Sequence, residues 1–294
     1  MFVWQTSRFE IDLSRPKVMG VVNVTPDSFS DGGEHFEIRS ALTHCEQLLH
    51  EGADILDIGG ESSRPGALAL SLEEELARVI PVVRHAVSLG VPVSVDTYKP
   101  AVMQAVLDLG ADIINDICAL RWRDPQSVVS ALDVVSAFDA CGVCLMHMYR
   151  YPQTMQTTPM QGDVVAQVTG FLAERIDALV RKGIARNRIC IDPGIGFGKT
   201  VEQNFSLLAH QQELLALGYP VVSGWSRKSS LGAVTGAAAD DRMAASVAAA
   251  VLAVERGAHV VRVHDVKATI QGLKVFEAMQ AAESKENKNM EIQK

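Results

Sequence analysis

The chain is poor in positive charge and in aromatic rings, and it contains no apolar run long enough for a membrane. Its 27 lysines and arginines stand against 35 aspartates and glutamates, a formal net charge of −8. That balance opposes the phosphate attraction and counterion release behind non-specific nucleic-acid binding, so no nucleic-acid partner is expected. The longest mostly apolar stretch, Met243 to Val254, is about 12 residues, short of the roughly 18 to 20 that a spanning helix needs. No membrane partner is expected either. The first residues, Met1 to Glu10, lack a basic segment followed by an apolar run and do not read as a secretory signal, so the expected compartment is the cytoplasm. Five cysteines without regular spacing suit a reducing compartment better than a disulfide-stapled fold. Cys141 and Cys144 form C-x-x-C, but a structural zinc site needs a second pair, so both read as structural. Asn23-Val24-Thr25 matches a glycosylation acceptor that has no meaning without secretion.

What is present is a globular composition, 48% hydrophobic and 21% charged, over 294 residues, which allows two domains or one large barrel. Eight Val/Ile-rich runs begin near Val18, Ala53, Val91, Ala111, Gly142, Arg188, Pro220 and His259. Most are continuously apolar, as strands covered on both faces are. Segments of helical period follow them, near residues 35–51, 72–89, 99–109, 126–140, 163–182, 201–217, 240–256 and 266–281. Alternation of this kind is the pattern of parallel strands joined by crossover helices. Eight such units in about 265 residues predict an α/β fold, a (β/α)8 TIM barrel forming one domain over residues 18–282. Residues 1–17 alternate in character and predict a hairpin or plug at the bottom of the barrel. Residues 283–294 are polar and charged without apolar period, and a disordered tail is expected there.

The informative polar residues lie where the apolar runs end. They are Asn23; Glu61, Ser62, Ser63 and Arg64; Asp96; Asn115 and Asp116; His147; Asp192; Ser226 to Lys228; and Arg262, His264 and Asp265. In a barrel all converge on the C-terminal face, where active sites sit. An Asp inside an apolar strand needs a partner. Asp96 and Asp192 therefore either bind backbone and hydroxyl groups of the barrel or, with Asn115 and Lys228, read the edge of a planar heterocycle.

The run Pro193 to Thr200 ends in Gly198-Lys199-Thr200 but is not a phosphate loop, because Pro193 occupies the position of the required first glycine. It reads either as a structural turn or as a tight loop that lets Phe197 approach a flat ligand. Arg262 and His264 share one strand face, either as an anion site or as a paired strand end. Arg227 reads as structural.

In order along the chain, VNVTPDSFSDGG (Val22 to Gly33), DIGGESSRPGA (Asp57 to Ala67), SVDT, INDI, LMHM, IDPGIGFGK and SRKSSLG resemble the dihydropteroate synthase family. The resemblance covers roughly Val18 to Thr269. It implies a TIM-barrel transferase of folate synthesis that joins 4-aminobenzoate to 6-hydroxymethyl-7,8-dihydropterin pyrophosphate, releases pyrophosphate and is a target of sulfonamides. It also implies the roles of individual residues. Asp96, Asn115, Asp192 and Lys228 would bind the pterin, in a slot lined by Met146, Phe197 and Gly224. Asn23, Ser63, Arg262 and His264 would hold pyrophosphate, with Asn23 also on Mg²⁺. Phe29, Arg64, Pro65 and Ser229 would hold aminobenzoate. Asn23, Ser63, Arg64, Lys228, Arg262 and His264 would form the catalytic set for an SN1-like displacement. The loops carrying Phe29 and Pro65 are rich in Gly, Ser and Pro and are expected to order around substrate. A homodimer is also implied, with the alanine-rich segment 240–256 as the contact.

Three positions depart from the family pattern. Ser63 replaces a threonine, Tyr149 to Pro152 replace a segment where Gln-Gly is common, and Ser230 stands where a larger apolar residue is common. Two rival readings share the barrel: a corrinoid methyltransferase that uses a folate, and a catalytically silent paralogue. The first has no need of Ser63-Arg64, Lys228-Ser229 and Arg262-x-His264, and the second is disfavoured by intact loops.

Overall fold

The structure, a computed structural model, describes residues 2–24, 34–62, 66–123, 128–150, 154–155 and 159–292, the side chains of 34–37 and 284–292 excepted. An antiparallel hairpin, β1 (Val3–Gln5) and β2 (Glu10–Asp12), comes first. Eight parallel strands follow: β3 (Lys17–Asn23), β4 (Ile55–Gly59), β5 (Val93–Asp96), β6 (Ile113–Asp116), β7 (Gly142–Met146), β8 (Ile189–Asp192), β9 (Val222–Ser223) and β10 (Val260–Val263). They pair in the order β8-β7-β6-β5-β4-β3-β10-β9. A parallel bridge between Ile191 and Val221 joins β8 to the entry of β9 and closes the ring; there the Ile191 N–H donates to the Pro220 carbonyl at 3.0 Å. This is the (β/α)8 barrel the strand count predicts.

Strand residues alternate between two cores, because successive side chains point to opposite faces. Outward-facing Val18, Val22, Leu56, Ile58, Val93, Val95, Ile114, Val143, Leu145 and Ile191 pack under the surrounding helices in the larger core. Inward-facing Met19, Ile55, Ile113, Cys144, Cys190, Val222 and Val260 form the lower filling of the barrel, and Trp4, Ile11 and Leu13 of the N-terminal segment join that cluster. Trp4 is fully buried, and its indole N–H donates to the Arg188 carbonyl at 2.9 Å. Arg8, in the hairpin turn, pairs with Asp112 at 2.6 Å, and the same carboxylate accepts from the Val93 N–H. The hairpin is thereby fastened under β5 and β6.

Among the helices, α1 (Glu34–His50) follows β3 and α2 (Leu72–Ser88) follows β4. Next come α3 (Pro100–Asp108), α4 (Ala131–Ala137) and α5 (Val164–Arg181). Ser71 with Glu74 and Ser130 with Asp133 make reciprocal capping boxes that start α2 and α4. The second box shows why the segment expected over 126–140 narrows to α4. The segment expected over 201–217 is two elements, α6 (Val201–Ala209), capped by Thr200 and Gln203, and a 3-10 helix over Gln211–Leu217. The last helices are α7 (Ser229–Thr235), α8 (Met243–Glu255) and α9 (Val266–Ile292). The backbone of α9 runs from Val266 to Ile292, longer than the segment 266–281; Glu, Lys and Ala favour that conformation locally. All five cysteines are free and buried. Desolvation raises the thiols of Cys141, to about 12, and of Cys144, well above the ordinary value, so neither is poised to bind metal.

Candidate active site

The upper half of the barrel interior is charged. Above the apolar filling, the inward positions are Asp57 on β4, Asp96 on β5, Asn115 on β6, Met146 on β7, Asp192 on β8 and Arg262 on β10. Strand register sets this, since Asp96 pairs with Asn115 and Met146 with Asp192 across neighbouring strands. Arg262 is the centre of the group. Its Nε donates to Asp57 at 2.6 Å and its Nη2 to Asp96 at 2.8 Å. Asn115 donates from Nδ2 to Asp57 at 3.3 Å. Among the described residues Nη1 of Arg262 makes no hydrogen bond, which leaves that nitrogen for a ligand. Burial pulls the guanidinium pKa down, but Asp57 and Asp96 outweigh it and hold the group charged. Burial likewise raises the carboxyl of Asp96, against the opposing pull of Arg262.

The opposite wall is built by the loop after β8. Gly194, Gly196 and Gly198 all have positive φ. At Gly194 a Cβ would run into the His147 carbonyl oxygen, so only glycine fits. The Asp192 carboxylate accepts from the Gly194 N–H at 2.7 Å, and burial raises its pKa. Phe197, 7% exposed, lies under the Lys228 ammonium, 4.3 Å from Nζ to the ring centroid. Desolvation first, then the charge of Arg262, lowers Lys228 to about 8, while Asp192 and Asp96 oppose that shift. Lys228 and Arg262 thus share the fields of Asp192 and Asp96, so the two walls form one electrostatic unit.

His264 follows β10 and is held by Ser226. Its backbone N–H donates to Ser226 Oγ at 3.1 Å, and Nδ1 lies 2.9 Å from the same oxygen. Burial, then Arg262, lowers its pKa to about 3, so the ring is neutral near pH 7. With Nδ1 assigned as acceptor of the hydroxyl proton, Nε2 carries hydrogen and is available as a donor.

The family of pterin binding enzymes matches residues 19–264 of this chain. The chain belongs to that family. Dihydropteroate synthase of Neisseria meningitidis serogroup B is 50% identical over 283 residues, covering 94% of this chain and 97% of that protein. Two crystallised synthases are similar throughout. One, from Xanthomonas albilineans with 4-aminobenzoic acid, is 51% identical with a TM-score of 0.85, covering 93% of this chain and 95% of that one. The other, from Burkholderia cenocepacia with 7,8-dihydropteroate, is 49% identical with a TM-score of 0.86, covering 97% and 98%.

In this pterin-binding enzyme the residues singled out from sequence fall into three groups. Asp96, Asn115, Met146, Asp192, Phe197, Gly224, Lys228, Arg262 and His264 stand at the C-terminal end of the barrel strands. So do Asn23, half-buried at the end of β3, and exposed Ser229 at the start of α7. Phe29, Ser63, Arg64 and Pro65 lie outside the described residues. Arg227 pairs with Asp265 at 2.7 Å, in keeping with a structural part.

Several polar residues of the site were assigned no ligand from sequence. Asp57 is fully buried in the run Ile55–Gly59, and the signal that marks Asp96 and Asp192, a carboxylate inside an apolar strand, marks it equally. Lys199 turns its ammonium into its own loop, donating to the Gly194 and Phe197 carbonyls at 2.8 and 3.1 Å and meeting His147 Nδ1 at 2.9 Å. Glu61, at the base of the second loop, accepts from Lys99 at 2.6 Å and from the Tyr98 hydroxyl at 2.8 Å. Lys99 also bonds Glu75 at 2.6 Å.

Proposed function

We propose that this enzyme makes 7,8-dihydropteroate from 6-hydroxymethyl-7,8-dihydropterin pyrophosphate and 4-aminobenzoate, as a dihydropteroate synthase of folate synthesis. The observation that carries the assignment is the joined charge set at the barrel mouth, with Asp192 and Lys228 on one wall and Asp96, Asn115 and Arg262 on the other. A pterin is flat, with an amino group and a ring N–H on one edge and acceptors elsewhere. The Asp192 carboxylate accepts from that edge, while Lys228 and Asn115 supply donors. Phe197 and Met146 offer apolar faces to the ring.

Pyrophosphate leaves toward Asn23, Arg262 Nη1 and the Nε2–H of His264. In the reaction the bond between the pterin methylene carbon and the leaving phosphate oxygen breaks with both electrons going to oxygen. The arylamine nitrogen then forms the new C–N bond and loses a proton. No protein nucleophile is required. Positive charge placed where negative charge grows, and two reactants held in register, are each worth several kcal/mol on general grounds. Arg64, Pro65, Phe29 and Ser229 are assigned to aminobenzoate on family likeness, and Ser63 to pyrophosphate. Sulfonamides, as mimics of aminobenzoate, compete at that pocket.

Mg²⁺ in phosphate sites is held by one or two protein oxygens and by the substrate. Asn23 offers an amide oxygen at the end of β3 where pyrophosphate would lie, which suits such an ion. Among the described residues no group of three or more His, Cys, Asp or Glu forms a metal cage. When bound, the ion would neutralise charge on the leaving group.

We assign the enzyme to the cytoplasm and to a homodimer. No described helix is long and apolar enough to cross a membrane, which is compatible with the first. Exposed Val234 on α7, Met243 and Leu252 on α8, and Val275 and Met279 on α9 support the second. The experiment that tests the function is pyrophosphate release by purified protein given the pterin pyrophosphate and Mg²⁺, with and without 4-aminobenzoate, with product identification. Aminobenzoate-dependent release with dihydropteroate as product is expected. Pterin binding without product would favour the methyltransferase or the silent barrel.

A further inference from the structure

Asn204 sits in α6, outside the charged set, and is 1% exposed. Its Oδ1 accepts from the Gly196 N–H at 2.8 Å, and its Nδ2 donates to Ser230 Oγ at 2.9 Å. A buried amide side chain is retained where both of its ends find partners, and here the partners lie on two different loops. Gly196 belongs to the loop that presents Phe197. Ser230, 2% exposed, belongs to the first turn of α7, two residues after Lys228.

The two loops meet again at the ligand side. A Cβ on Gly196 would stand 3.2 Å from Lys228 Cδ, so the lysine stem runs close along the glycine backbone. Beyond it the ammonium reaches the Phe197 ring. The contacts form a closed circuit: Ser230 to Asn204, Asn204 to Gly196, Gly196 to the Lys228 stem, and back along the chain to Ser230. Asn204 joins the two loops by a hydrogen bond on each side, whereas the lysine stem beside it has four rotatable bonds.

We infer that Asn204, with Ser230 as its anchor, is a positioning residue for pterin capture, setting the distance between the Phe197 ring and the Lys228 ammonium. The inference rests on the assignment of Phe197 and Lys228 to the pterin slot. It also gives Ser230 a defined partner.

The test is calorimetric affinity for 6-hydroxymethyl-7,8-dihydropterin pyrophosphate in two backgrounds, wild type and Lys228→Ala. In wild type, Asn204→Leu is expected to weaken binding about tenfold and Ser230→Ala severalfold, the scale of one lost hydrogen bond. In Lys228→Ala neither is expected to weaken it further, because a residue that acts through Lys228 has nothing left to position. Equal losses in both backgrounds would reduce the pair to general support of the fold and overturn the inference. So would a Lys228→Ala loss accompanied by unchanged affinity in both single variants. Unchanged affinity in Lys228→Ala itself would overturn the pterin assignment of that lysine first. Ser230→Ala removes only an oxygen and carries the test if Asn204→Leu fails to fold.

Discussion

Arg262 and Asp57 meet at 2.6 Å although 205 positions separate them in the chain. They stand on β10 and β4, the two neighbours of β3, so the guanidinium crosses that strand inside the barrel before reaching Asp96 on β5 with its second nitrogen. One cation therefore links three strands and orients two carboxylates of the barrel interior.

Replacing Asp57 by asparagine leaves Arg262 with one carboxylate and puts an amide beside Asn115. Breaking a pair with one fully buried partner is expected to lower unfolding free energy by about 3 kcal/mol, measured by urea denaturation. Turnover should fall by more than the stability loss explains, because the free donor of Arg262 is no longer aimed. A variant with wild-type stability and turnover would show that Asp96 alone holds the arginine.

Two buried imidazoles add an acid-sensitive contribution to stability. Burial lowers His147 to about 2 and His264 to about 3 in the fold, against about 6.5 in an unfolded chain. The unfolded state thus binds more protons in this window. The stability these rings contribute is full above pH 6.5 and is lost as pH falls toward 3. Protonation of Asp96, raised to about 7, and of Asp116, raised to about 6, opposes this trend, so the check is the variant: between pH 7.5 and 4.5, His147→Asn should lose less unfolding free energy than wild type.

Lys228, lowered to about 8, loses its charge on mild alkalinisation. With Lys228 as a donor to the pterin, as proposed, affinity is expected to fall as pH rises from 7.5 to 9. Titration calorimetry across that range checks this. In Lys228→Met the affinity should be low and nearly independent of pH. A wild-type affinity flat to pH 9 would contradict the ammonium's role.

Trp4→Ala removes the plug rather than the site. Deleting a fully buried indole that also holds the Arg188 carbonyl should destabilise by about 3 to 5 kcal/mol. Catalysis assayed well below the new melting temperature should remain close to wild type, since Trp4 lies at the opposite end of the barrel. Parallel loss of turnover would mean that the plug sets the geometry of the upper layers.

Much of this was legible in the sequence. Continuous apolar runs such as Val18 to Val22 and Ile189 to Ile191 announce strands covered on both faces, and their alternation with helical periods is enough for eight βα units. The polar residue at the end of each run, Asp96, Asn115, Asp192 or Arg262, marks the functional face because a strand interior does not select such residues. Segments near α4 and α6 were harder to delimit. Ser130 and Thr200 start those helices through caps that depend on side-chain geometry, and the 3-10 helix at Gln211–Leu217 carries the same apolar period as a continued α-helix.

Fold class, the face that carries chemistry and the family are readable along the chain, because periodicity and motif order are properties of neighbouring residues. The partners are not. That Arg262 binds both Asp57 and Asp96 depends on barrel closure and strand register. Whether Lys199 faces a ligand or its own loop depends on the positive φ of Gly194 and Gly196. That Asn204 ties Ser230 to Gly196 depends on how α6 and α7 pack. Hydrogen bonds and ion pairs between distant residues act over about 3 Å, and only closure of the barrel brings the chain to that scale.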